Sequence, residues 1–138
     1  MGYVEKDFLL RQFNQLGVVL AKILGFKEKG KYESAESVID NALTDFGLKD
    51  LDIHLKIDVD SLVPELIKTH RLTIDQINIL AELIYEKAEI NIRLGKKEPA
   101  RDLYLRALIL FEHITNAERI FSFEREEKIN KIRSILQK

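Results

Sequence analysis

Apolar residues recur every three or four positions along most of this chain. Leu9, Phe13, Leu16, Leu20 and Ile23 step by 4, 3, 4 and 3, which places them on one face of a helix over residues 4–26. Leu10, Val18 and Leu24 widen that stripe, and Gln12, Gln15 and Lys22 fall off it. A charged break, FKEKGK, follows between Gly25 and Gly30. A second helix is expected over 31–46, with Ala35, Val38, Ile39, Ala42, Leu43 and Phe46 inward. Gly47 stops it, because glycine enters the left-handed conformation cheaply.

The period then changes. Leu51, Ile53, Leu55, Ile57 and Val59 alternate with polar residues within 48–60, which alone is a strand signature. No second strand pattern exists to pair with it. The reading is an extended or irregular insertion. A short helix follows over about 61–70, capped by Asp60 or Ser61, with Pro64 in its first turn.

Thr73 and Gln76 have capping-box spacing and open a long helix to Leu94. That helix is apolar nearly all round, as an interior helix is. Gly95 ends it. Pro99 lies near the start of the next helix, which runs to about His113. Thr115 or Asn116 is expected to cap a last helix over 116–136, apolar first at Ile120, Phe121 and Phe123. Only Ile129, Ile132 and Leu136 continue its stripe.

Composition fits one helical domain over residues 1–138. The chain has 6 Gly and 2 Pro, few breakers for its length. It has no Cys, which excludes disulfides, Cys-ligated metals and a Cys nucleophile. A net charge of −1 gives no bulk argument for nucleic acid or membrane. No apolar run approaches the ~18 residues a bilayer requires. Glu5 and Asp7 in the opening segment speak against a signal peptide. Lys6 occupies the place where myristoylation wants Ser or Thr. The expected location is the cytoplasm.

An internal repeat organises these elements. GKYESAESVIDNAL (Gly30–Leu43) and GKKEPARDLYLRAL (Gly95–Leu108) share six of 14 positions. The common skeleton is a turn glycine, two alanines seven apart on one helical face, and a larger residue, Ile39 or Tyr104, between them. It resembles the second half of a tetratricopeptide repeat. That resemblance assigns the turn glycine to Gly30 and Gly95, and the small positions to Ala35, Ala42, Ala100 and Ala107. The copies lie 65 residues apart, off the family's ~34-residue period. Residues 47–72 then read as an insertion. The resemblance implies an all-α, TPR-like fold of about five to six helices. Its hairpins would span about 4–46 and 74–113 in a right-handed superhelical array, closed by a capping helix over 116–136. The opening KDFLLRQFNQLGVVLAKILGF also resembles short bacterial proteins, and no activity follows from that.

The residues carry little chemistry. Asp50, Asp52, His54, Asp58 and Asp60 form the densest acid and histidine cluster, but the EF-hand glycine and terminal glutamate are missing. They read as the solvated face of the alternating segment, and no metal or other cofactor is expected. Arg106 and His113 lie seven apart on one helix, a spacing that resembles the Arg–His signature of HEPN nucleases. Alternatively Arg106 is a surface residue, and His113 a helix C-terminal one favoured by the dipole. Basic residues of the last helix (Arg125, Lys128, Lys131, Arg133, Lys138) interleave with Glu124, Glu126 and Glu127, which reads as a solvated face with intrahelical pairs rather than a nucleic-acid surface.

The expected function is therefore non-enzymatic: a module that binds a protein or peptide segment in a groove lined by the first helix of each pair. Asn14, Lys87, Asn91 and Arg93 are the candidate groove residues. The alternatives are a HEPN-like RNase using Arg106 and His113, and a self-associating helical homodimer joined through the stripe of the first helix.

Overall fold

A computed structural model describes residues 2–48 and 57–138, with side chains from residue 11 onward except Phe13. The fold is all-α, and no strand occurs among the described residues. The chain divides into two compact units, Met1–Leu51 and Asp52–Lys138. Of the acid and histidine cluster, Asp50, Asp52 and His54 lie outside the described residues, as do the side chains of Leu9 and Phe13.

The first unit is a helical hairpin, α1 (Gly2–Glu28) and α2 (Tyr32–Asp45). Gly25 does not break α1. It lies within the helix with open space where a Cβ would be, and Gly30 makes the turn instead. The α2 stripe is buried at Ala35, Ile39, Ala42 and Leu43. In α1, Leu16 and Ile23 are buried, whereas Val18 and Leu24, expected to widen the stripe, are exposed. Gln12, off the stripe by spacing, is nonetheless buried.

The second unit opens with a 3₁₀ turn (Val59–Ser61), a short α3 (Leu62–Pro64) and a π-helical turn (Glu65–Thr69). Ser61 precedes α3 but makes no side-chain cap. Next comes α4 (Ile74–Arg93), whose N-terminus carries the expected capping box. Thr73 Oγ1 accepts from Gln76 N–H at 3.2 Å, and Gln76 Oε1 accepts from Thr73 N–H at 2.9 Å. Ten of its residues are buried, so α4 is an interior helix. It packs against α5 (Lys97–Glu118), which packs in turn against α6 (Phe123–Leu136).

The last helix begins later than its sequence suggests. α5 continues through Thr115 and Asn116 to Glu118, because Ile114 extends the inward row of Leu110 and Phe111. Ser122 caps α6, its Oγ accepting from Arg125 N–H at 3.3 Å. Ile120, Phe121 and Phe123 are exposed.

The two repeat windows have the same backbone. α1 ends at Gly30 (φ 71°) and α4 at Gly95 (φ 79°), each in a Schellman turn. Lys31 N–H donates to Phe26 C=O and Gly30 N–H to Lys27 C=O, at 2.8 and 3.1 Å. Lys96 N–H donates to Asn91 C=O and Gly95 N–H to Ile92 C=O, again at 2.8 and 3.1 Å. Lys31 and Lys96 then precede α2 and α5 at near-identical angles, φ −92° ψ 68° and φ −94° ψ 73°. Ala35 and Ala100, Ile39 and Tyr104, and Ala42 and Ala107 are all buried in matching pairs.

Candidate functional site

A groove of 460 Å³ opens between α1 and α2. Helical spacing builds both walls. Arg11, Asn14, Gln15 and Val18 follow the i, i+3, i+4, i+7 pattern that keeps one face of α1 together, with Val19 beside them. Ala42, Asp45 and Phe46 do the same for α2. The small side chain of Ala42 leaves the space. Val18, Val19, Ala42 and Phe46 supply apolar surface, and Arg11, Asn14, Gln15 and Asp45 supply donors and acceptors. An apolar cleft with a few polar groups suits a peptide side chain and the amides beside it.

Asn14 is thus a groove residue of the first unit. The other three candidates lie on α4 in the second. Asn91 is buried, and its Nδ2 donates to Lys87 C=O at 2.7 Å. Lys87 is half-buried, and Arg93 is exposed in the last turn of α4.

Arg106 is not a surface residue. It is 3% exposed, and its Nε donates to Asp102 Oδ2 at 2.8 Å. A guanidinium so placed is not presented to a phosphodiester in solvent. His113 is half-buried and five residues short of the α5 terminus, so it is not a dipole-favoured C-terminal residue either.

The residues that sequence reasoning missed form an aromatic and ionic network on α4, α5 and α6. Tyr85 meets Tyr104 and Phe111 edge to face, at centroid distances of 6.0 and 6.2 Å. Tyr104 Oη donates to Glu89 Oε2 at 2.6 Å. Lys131 donates to the other Glu89 oxygen at 2.8 Å, and Lys128 pairs with Glu82. Both lysines lie over the Tyr85 ring, 5.4 and 5.8 Å from its centroid. Burial first, then the neighbouring glutamates, pushes both tyrosine hydroxyls well above their ordinary range. The network keeps the phenols neutral and ties α6 down.

The basic residues of α6 therefore do not make the expected intrahelical pairs. Lys128, Lys131 and Arg133 reach Glu82 and Glu89 of α4 and Glu112 of α5, and Arg125 reaches Glu118. Charge interleaving along one helix cannot reveal pairs made across helices. Acids at Glu82 and Glu89, seven apart and facing one way, were the available signal.

Among the described residues, no group of three or more potential ligands is arranged to hold a metal ion, and no helix is long and apolar enough to cross a membrane. Compared with protein-family models, curated proteins and solved structures, the chain matches none of them.

Proposed function

We propose that this chain is a non-enzymatic interaction module of tetratricopeptide-like design, holding a segment of a partner protein in the α1–α2 groove. The observation that carries this reading is the groove itself, with apolar surface from both helices and two amides, Asn14 and Gln15, at its rim. Amides at a rim hydrogen-bond the backbone of an extended peptide, and the apolar floor takes its side chains. The matched backbones of the two repeat windows support the tetratricopeptide-like part of the reading.

Affinity capture from the native host with wild type and Val18→Asp tests it. Val18 is exposed and lines the groove, so the substitution adds a charge there without disturbing the core. The wild type is expected to retain a partner that Val18→Asp releases, with the helical circular dichroism of the two proteins equal. Capture of the same proteins by both would remove the reading.

A further inference from the structure

The turn between α5 and α6 is bridged by a buried side chain. Arg119 adopts the left-handed conformation at φ 56°, which is unfavourable for a residue with a side chain. Arg125, itself buried, reaches back across the turn. Its Nε donates to Thr115 Oγ1 at 3.0 Å and its Nη2 to Ile120 C=O at 2.9 Å, while Nη1 lies 3.6 Å from Glu118.

What this turn presents to water is apolar. Ile120, Phe121 and Phe123 are 66%, 70% and 68% exposed, and the two phenylalanine rings meet edge to face at 6.2 Å. Burial of each such side chain is stabilising, and leaving three exposed on one turn forgoes it. Single exposed apolar residues are ordinary, whereas a fixed cluster marks an interaction surface.

Charge indicates what lies opposite. Arg119 precedes the cluster in the chain and Glu124 follows it. Both are exposed, and neither is ion-paired among the described residues, whereas Lys128 and Lys131 are committed to Glu82 and Glu89. A segment with a free cation before its apolar centre and a free carboxylate after it complements its own copy laid antiparallel across a two-fold. Such a two-fold would bring Arg119 to Glu124 of the partner subunit twice, with the phenylalanines between them. An anionic membrane would want a basic rim, and Glu124, Glu126 and Glu127 give the opposite.

We infer that Ile120, Phe121 and Phe123 are the centre of a symmetric homodimer contact between two copies of this chain. This contact uses none of the α1 stripe, of which Leu16 and Ile23 are buried within the chain. Three side chains a side fall short of the ~800 Å² per partner of a tight interface, so a weak dissociation constant is expected.

Sedimentation velocity over ~5 to ~500 µM brackets that constant and tests the inference. The wild type is expected to pass from monomer to dimer. Phe121→Ser, on the exposed turn and outside the Arg125 clamp, should weaken dimerisation by at least ~10-fold. Arg119→Glu and Glu124→Arg should each weaken it, and the double swap should restore it. Val18→Ser should leave it unchanged, which separates this contact from the α1–α2 groove. A wild type monomeric at every concentration overturns the inference, as does a Phe121→Ser protein that dimerises like the wild type. Flotation of a monomeric wild type with phosphatidylcholine vesicles would also overturn it and reassign the turn to a membrane surface.

Discussion

Tyr104 and Glu89 join α5 to α4 through a hydrogen bond of 2.6 Å, and the same carboxylate accepts from Lys131 of α6. One acidic side chain therefore serves three helices. Tyr104→Phe keeps the ring and deletes the donor. A hydrogen bond to a charged, largely buried acceptor makes this expensive, at ~1–2 kcal/mol of folding stability. Urea unfolding should show a lower midpoint with an unchanged slope.

The two tyrosines also set a limit at high pH. Burial raises Tyr85 and Tyr104 above the ordinary value of 10.0 in the folded chain. The unfolded chain ionises these phenols near that value, and the folded chain holds their protons. The folded state then binds more protons, so stability is intact below about pH 10 and falls as pH rises beyond it, by ~1.4 kcal/mol per unit for each tyrosine. Urea unfolding at pH 9 to 11 should show this fall. The Tyr85→Phe/Tyr104→Phe protein should show less of it, and the difference is the part due to these two phenols.

Glycines at turn and helix positions should respond with opposite signs. Gly95→Ala forces a Cβ into φ 79° and is expected to cost ~1 kcal/mol. Gly25→Ala, within α1 with nothing within 4 Å of the new methyl, is expected to stabilise by ~0.5–1 kcal/mol. Thermal unfolding of the two variants should move in opposite directions from the wild type. Equal signs would overturn the contrast between a left-handed turn at Gly95 and a helical backbone at Gly25.

Arg125→Met should loosen one turn and little else. The substitution keeps the apolar stem and removes the guanidinium that holds Thr115, Ile120 and Glu118. A loss of ~1–3 kcal/mol is expected from the partners left unsatisfied. Hydrogen exchange should speed up at residues 118–124, with the interior amides of α4 changed only by the global loss of stability.

The sequence makes legible those features whose physics is local. Gly30 and Gly95 were readable because a left-handed residue after a helix favours glycine, and Thr73 because its partner Gln76 is three residues away. The last helix was misplaced because its start depends on tertiary context. Thr115 is as good a cap as Ser122 by type, but Ile114 has a place in the core that holds the chain in α5 through that point. The weak local signal for Ser122 was the acidic first turn, Glu124 and Glu126. The exposure of Phe121 and Phe123 was not legible, because apolar type alone does not tell a core residue from an exposed one. Of the candidate groove, Asn14 was legible as a polar residue on α1. Its wall from α2 was not, since the pairing of Asn14 with Asp45 and Phe46 exists only once the hairpin closes.

The attachment of α6 offers a direct comparison of two forces. Its apolar stripe is thin, with Ile129 and Ile132 buried, and its ion pairs are several. Counting contacts would favour the charges. Magnitudes favour the isoleucines. Lys131 is about half-exposed in its pair with Glu89, so screening keeps that pair within ~0.2–1 kcal/mol. Ile132→Ala removes a fully buried side chain and leaves a void, at ~2–4 kcal/mol. Lys131→Met should therefore destabilise slightly and lose its remaining effect in high salt. Ile132→Ala should destabilise several-fold more at any salt. Urea unfolding of both variants at low and high salt decides it, and a Lys131→Met effect as large as that of Ile132→Ala would show that charge, not burial, holds α6 in place.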